Sequence, residues 1–269
     1  MSYATIELHT DGPLATIRLN RPERMNAVIE EMYLEIQDAL RRISADPDIR
    51  CLVLTGSVMR RDGVEKQAFC AGADLKKHSA GERTAEDRRR YIELAHETAL
   101  ALFDFPKPSI AAVNGPARGA GAELAIACDF ILMAEEATLA FPEIGLGTFV
   151  GGGATHILPR LVGLARAKEL IYTGRVIGGK EASELGLALF CCPVGELRER
   201  AGALARELSG KAPIPMALAK RLLHISPRKK VRKALRMETE AILECMESED
   251  WLEGLRAFSE KRSPRFKGE

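Results

Sequence analysis

An α/β fold with a helical C-terminal part is predicted by two features of the chain. Short apolar runs alternate with helix-period patterns over roughly the first 200 residues. From about Leu197 the strand signals stop, and only helical patterns continue, punctuated by Pro213, Pro215 and Pro227. The division is placed near residue 200, giving an α/β core at 1–200 and a helical region at 201–269.

Each element has its own warrant. Ile6 and Leu8, then Ala15, Ile17 and Leu19, alternate with polar residues on either side of Asp11-Gly12, the pattern of a β-hairpin. Asn20-Arg21-Pro22 breaks the second strand. Asn26 is then placed to cap a helix whose Met32, Ile36, Leu40 and Ile43 share one face and which ends near Asp46-Pro47. Cys51 to Leu54 reads as a buried strand closed by Thr55-Gly56, followed by a polar segment from Ser57 to Gln67. Ala68 to Leu75 supplies small residues where a chain turns tightly or lets something approach its backbone. Tyr91, Leu94, Ala95, Thr98 and Leu102 keep helical spacing between Thr84 and Asp104, and Pro106 and Pro108 stop that helix. Ile110 to Val113 is a strand, Asn114 to Gly121 leads into a helix at Ala122 to Cys128, and Phe130 to Met133 is the next strand.

Composition narrows the function classes. With 46% hydrophobic and 29% charged residues the 269-residue chain has globular composition. Its 39 Lys and Arg nearly cancel 38 Asp and Glu, so a net charge of +1 gives no reason to expect a nucleic-acid partner. No segment offers the roughly 18 apolar residues of a membrane span, and Met1 to Gly12 lacks the basic opening and apolar stretch of a signal peptide. Cys51, Cys70, Cys128, Cys191, Cys192 and Cys245 form no metal-ligand spacing and no small secreted disulfide framework. No metal is expected, and the thiols read as reduced in a cytoplasmic protein.

The chemistry concentrates in two glycine-rich turns. Ala71 to Ala73 and Gly119 to Gly121 each follow an apolar strand, so parallel strands would bring both to one sheet edge. Two converging backbone N–H groups there would make an oxyanion hole, though small residues also serve close helix–sheet packing. Glu123 stands on the first turn of the helix after Gly121, a common place for a carboxylate. Glu143 lies between Phe141-Pro142 and Ile144-Gly145-Leu146-Gly147, an apolar setting for an acid. Two acids near one oxyanion hole could hold a water, one as base and one as acid, if their environments separate their pKa values.

The segments Leu19 to Pro22, Ala68 to Leu75, Ala112 to Gly115, Gly119 to Ala125 and Phe141 to Gly147 resemble the crotonase superfamily, the enoyl-CoA hydratases and isomerases. Leu158 to Gly163, Glu253 to Leu255 and Phe258 to Arg262 extend the match in order over essentially the whole chain. The resemblance implies a spiral core of β-β-α units, a C-terminal helical region that trimerises, and trimers that pair as hexamers. It implies an acyl-CoA thioester as substrate and partner, with coenzyme A part of the substrate and no separate cofactor. The thioester oxygen would sit between the N–H groups of Ala73 and Ala120. Glu123 and Glu143 match the two glutamates of the family's hydratases, and retention of both favours hydration of a 2-enoyl-CoA. CoA contacts map onto Arg24 to Ala27, onto Ala71 and Asp74, and across a subunit boundary onto Phe258 and Lys261.

Three positions depart from the family pattern. Ala120 replaces the commoner Gly, Arg118 stands where a small or apolar residue is usual, and Gly151 to His156 differs from the usual Gly-Gly-Thr-Gln ending. These point to an unusual acyl preference, and His156 is a candidate substrate contact. The competing readings are another crotonase reaction, such as double-bond isomerisation or hydration of an alicyclic acyl-CoA, and a non-enzymatic RNA-binding or scaffold protein on the same fold. The basic stretch Arg228, Lys229, Lys230, Arg232, Lys233 and Arg236 feeds the last. The interleaved Val231, Ala234, Leu235 and Met237 instead predict an amphipathic helix with a solvated basic face.

Overall fold

In the computed structural model, which describes residues 3–61, 63–75 and 84–267, β1 (Ile6–Asp11) and β2 (Leu14–Leu19) form the expected hairpin, with Asp11 opposite Leu14 across the turn. β3 (Cys51–Gly56) then pairs parallel with β2. The polar segment after it is a two-stranded antiparallel hairpin, β4 (Val58–Arg61) and β5 (Val64–Gln67). It carries no alternation in the sequence because β5 is solvated on both faces.

β6 (Ser109–Val113) continues the main sheet. β7 (Ala117–Arg118), β8 (Phe130–Ala134), β9 (Thr138–Ala140), β10 (Ile177–Gly178) and β11 (Phe190–Cys192) complete the strands. Six of them form a sheet in the order β1-β2-β3-β6-β8-β11, parallel after the first pair, and β10-β9-β7 form a second. β3 and β6 are apolar and buried almost throughout because both faces of the sheet are covered.

α1 (Glu30–Ala45) buries Met32, Ile36, Leu40 and Ile43, as their spacing predicts. Asn26 is not its cap. The residue is fully buried with φ +55°, and its carboxamide accepts from Arg21 N–H at 3.0 Å and Ser57 Oγ at 2.9 Å. The same group donates to Ser57 O at 3.0 Å and Ala68 O at 2.9 Å. It therefore fastens the 21–28 loop to the segment that leads into 71–73, and the chain runs on through Val28, which bridges Ala73, before the helix starts.

α2 (Ala85–Phe103) begins at Thr84 with a capping box, in which Thr84 Oγ1 accepts from Asp87 N–H and the Asp87 carboxylate accepts from Thr84 N–H, both at 3.1 Å. α3 (Ala120–Ile126) starts two residues earlier than its apolar run indicates, because the chain turns at Gly119 directly from β7 into the helix. α4 (Ala154–Val162), α5 (Leu164–Thr173), α6 (Gly179–Glu184), α7 (Val194–Ser209), α8 (Pro213–Met246) and α9 (Glu249–Glu260) follow. Residue 200 falls inside α7, which packs against β3, β6 and β8 and buries Leu197, Ala201 and Ala205.

α8 buries Val231, Leu235 and Ile242, while Lys230, Arg232, Lys233 and Arg236 are exposed. The basic stretch is thus the solvated face of an amphipathic helix where it is described. The side chains of Arg228 and Lys229 lie outside the described residues, and Met237, expected on the apolar face, is exposed. No helix among the described residues is long and apolar enough to cross a membrane.

Candidate active site

The two small-residue turns meet, but not through adjacent edges of β3 and β6. The contact is a parallel bridge between Cys70 and Ala117, in which Cys70 N–H donates to Pro116 O at 3.0 Å and Arg118 N–H donates to Cys70 O at 2.9 Å. On its other side the first turn bridges Val28. Val28 N–H donates to Gly72 O at 2.8 Å and Asp74 N–H donates to Val28 O at 3.0 Å, so Ala73 N–H takes no part in that pairing. Ala120 is the first residue of α3, where the N–H groups have no partner one turn back. A glycine with positive φ precedes each donor, Gly72 at +97° and Gly119 at +48°, conformations that turn the next N–H out of the strand direction and that a side chain would strain. Ala73 and Ala120 both line one cavity of about 140 Å³.

Both acids line the same cavity and both are buried. Glu123 is carried one turn into α3, and its Oε1 accepts from Gly151 N–H at 2.8 Å. Burial pushes its carboxyl up to about 7, against the pull of that N–H, and buried Glu238 adds a smaller push. Glu143 opens a short 3-10 helix after Pro142. Its Oε2 is buried with no hydrogen-bond partner among the described residues, and Oε1 sits so close to Gly119 that a Cβ there would meet it at 2.6 Å. Burial first, and then the Glu123 charge, hold the Glu143 carboxyl well above the usual carboxylate range. The cavity is thus lined by both turns and by two buried acids whose carboxyls burial raises. Among the described residues no cluster of His, Cys, Asp and Glu is placed to hold a metal ion.

The Enoyl-CoA hydratase/isomerase family profile matches residues 9–269. The chain belongs to that family, within the crotonase superfamily. The crotonyl-CoA hydratase of Syntrophomonas wolfei is 35% identical over 99% of both chains. The short-chain-enoyl-CoA hydratase of Clostridium acetobutylicum is 32% identical over 97% of both. Among solved structures, the enoyl-CoA hydratase of Bacillus anthracis superposes with a TM-score of 0.77 at 38% identity, covering 99% of this chain and all of that one.

The positions assigned to CoA by resemblance to the family do not all line the cavity. Ala71 lines the cavity, whereas Ala27 is buried and its carbonyl accepts from the Arg21 guanidinium. Arg24 is exposed. The Asp74 carboxylate is engaged by Arg21 at 3.1 Å, so the pair ties the 21–28 loop to the first turn. Phe258 and Lys261, at the end of α9, are exposed and outside the cavity, although Trp251 of the same helix lines it.

The family departures separate in space. Arg118 lines the cavity, and its guanidinium donates to Thr138 O at 2.9 Å, Thr138 Oγ1 at 2.8 Å and Ala117 O at 3.1 Å, with no ion pair among the described residues. His156 does not reach the cavity: it contacts Arg160 along α4, and burial with the Arg160 and Lys230 charges lowers its pKa. The structure also adds residues that the sequence reading passed over. His96 lines the cavity beside Glu123, and Glu238 on α8 accepts from Gly153 N–H at 2.9 Å and Thr155 N–H at 3.0 Å, securing the start of α4. The available signal for His96 was its spacing four residues after Ile92, on the cavity side of α2.

Proposed function

We propose that this chain is an enoyl-CoA hydratase that adds water across the 2,3 double bond of an enoyl-CoA thioester. The observation that carries the reading is one cavity lined by two buried carboxyls, both raised by burial, and by the two turns that carry Ala73 and Ala120. The thioester oxygen accepts from Ala73 and Ala120 N–H, which stabilise the charge that moves onto it as an enolate forms. Glu123, with the lower pKa of the pair, removes a proton from water as the oxygen bonds C3. Glu143, held protonated, delivers its proton to C2 as the enolate collapses, and proton exchange with solvent restores both acids.

Each group has a separate task, so neither acid is redundant. An isomerase can move a proton between carbons with one acid–base group, so the presence of two beside the turns favours hydration. A cavity of this size and the names of the two relatives above favour a short acyl group. Arg24, Ala27, Ala71 and Asp74 are proposed to surround the CoA moiety, and Phe258 and Lys261 to reach the CoA of a neighbouring subunit in a trimer or dimer of trimers. The test is turnover of a panel of short 2-enoyl- and 3-enoyl-CoAs by the purified protein, with product mass read alongside loss of the conjugated thioester absorbance. Gain of one water from 2-enoyl-CoA supports hydration. Conversion of 3-enoyl to 2-enoyl-CoA without water uptake overturns it in favour of isomerisation.

A further inference from the structure

The loop before α1 holds the first turn in place, and it carries a cation that the mechanism above does not use. The residues on either side of Ala73 both bond to Val28: Gly72 O accepts from Val28 N–H at 2.8 Å, and Asp74 N–H donates to Val28 O at 3.0 Å. These two bonds form an isolated bridge that lies outside every strand. At about 1 kcal/mol net for each backbone bond, they are a weak restraint on a turn that has to aim a donor. Arg21 closes the end of the bridge. Its guanidinium donates to Ala27 O, on the residue before Val28, and to the Asp74 carboxylate, on the residue after Ala73, at 3.1 Å. The two side chains of the pair are only 16% and 12% exposed, so the contact is largely shielded from water and its charge-assisted bond is of the strong kind.

The cation is itself held in a rigid frame. Arg21 N–H donates to Asn26 Oδ1 at 3.0 Å, and Asn26 N–H donates to Arg21 O at 2.9 Å. Met25 and Asn26 both have left-handed backbone, with φ of +52° and +55°, a conformation that costs a non-glycine residue free energy and persists only where its surroundings over-determine it. The surroundings here are the four hydrogen bonds that fill every donor and acceptor position of the buried Asn26 carboxamide. On its other side the turn abuts β7, where a Cβ on Gly72 would meet Arg118 O at 2.9 Å, and Arg118 stands two residues before Ala120. The turn is gripped from both sides, by β7 and by the loop that ends in the Arg21 clamp.

We propose that Arg21, through Asp74 and Ala27 O, is a positioning residue that keeps the Ala73 N–H aimed at the thioester oxygen. The inference rests on the part of the hydratase reading that makes Ala73 N–H a donor. β7 fixes the position of Ala120, and the Arg21 clamp fixes that of Ala73 relative to it. The planar guanidinium suits this task because its fork spans two acceptors on opposite sides of the bridge, which a lysine ammonium on a flexible stem does less rigidly. No proton passes through Arg21. Asp74 acts here through its bond to the clamp, and the orientation of the turn follows from it.

The test reads the donor itself. Infrared difference spectra of bound butyryl-CoA, isotopically labelled at the thioester carbonyl, report how strongly the site polarises that carbonyl in a ligand that has no double bond to hydrate. Wild type should lower the carbonyl stretch relative to the free thioester. Arg21→Met and Asp74→Ala should each lose about half of that downshift, since one of two donors is misaimed, and should lower kcat for crotonyl-CoA by about tenfold or more. Binding of butyryl-CoA should change by no more than about threefold. Asp74→Asn keeps an acceptor for the guanidinium and should stay within about threefold of wild-type turnover. The double variant of Arg21→Met and Asp74→Ala should fall no more than about twofold below Arg21→Met, and it keeps the test open if a single variant with one unpaired charge folds poorly. An unchanged carbonyl stretch in the folded variants, whether or not turnover or binding falls, overturns the role of Arg21, and so does a double variant whose losses multiply. Wild type that leaves the carbonyl stretch of the bound thioester unshifted overturns the donor reading of the turns together with this proposal.

Discussion

Glu123 and Glu143 differ by environment rather than chemistry. One carboxyl keeps an N–H partner at 2.8 Å, and the other has a buried oxygen with none among the described residues. Glu123 ionises near 7 and Glu143 well above its ordinary value, so kcat/KM should rise with pH through about 7 and fall again at higher pH. A pH–rate profile checks this, and Glu123→Gln should abolish the rising limb. The same shift has a stability consequence of definite sign. Below about 4.5 Glu123 is protonated in both the folded and unfolded states, and as pH rises to 7 the unfolded chain releases its proton while the folded site resists. The penalty is complete above 7. Glu123→Gln should therefore be more stable than wild type at about pH 8 by on the order of 1–3 kcal/mol, with the advantage shrinking toward about pH 4.5 in chemical denaturation. Glu143 stood out in the sequence by its apolar neighbours and Glu123 by its place on the first turn after Gly121, and the family resemblance paired them. His96 and Glu238 were not, because a polar residue on a helix reads as a solvated one until the packing of α2 against α8 is known.

At the scale of elements, the proposed donors Ala73 and Ala120 each follow a turn glycine. Gly72 and Gly119 set the two N–H directions, and the Cys70–Ala117 bridge brings the turns together. Ala120→Pro, which removes the donor, should lower turnover by ~10²–10³-fold, whereas Ala120→Gly changes it modestly. Ala120→Val keeps the N–H and crowds the cavity, so steady-state kinetics of the proline and valine variants together read the donor apart from shape. A proline variant that folds and turns over no more slowly than the valine variant would remove Ala120 N–H from the mechanism. The sequence marked these turns by small residues in a row after a strand, a pattern that close helix–sheet packing also produces. It carried Asn26 misleadingly: an Asn shortly before an apolar-periodic stretch has the signature of a cap, and only the long-range bonds to Ser57 and Ala68 show the other use of its carboxamide. The β4–β5 hairpin was illegible for a different reason, since a ribbon with no buried face leaves no period.

Over the whole molecule, the order of motifs carried the fold, because strand, turn and helix recur in the sequence as they recur in the sheet. The C-terminal helices were legible as helices, but which surfaces they cover was not. Phe258 is 57% exposed, and Ile214, Leu222 and Leu223 on α8 are also exposed. An assembly that covers such side chains accounts for them, and size exclusion with light scattering should give a multiple of three chains. A stable, fully active monomer would contradict both that assembly and the proposed reach of Phe258 and Lys261 to a neighbouring CoA. The most direct measurement of the central claim is steady-state hydration of crotonyl-CoA by wild type, Glu123→Gln and Glu143→Gln, with folding checked by circular dichroism. Two acids with separate tasks predict that each substitution lowers kcat by at least ~10²-fold in a folded protein. Near-normal turnover by either folded variant would contradict the two-carboxylate mechanism.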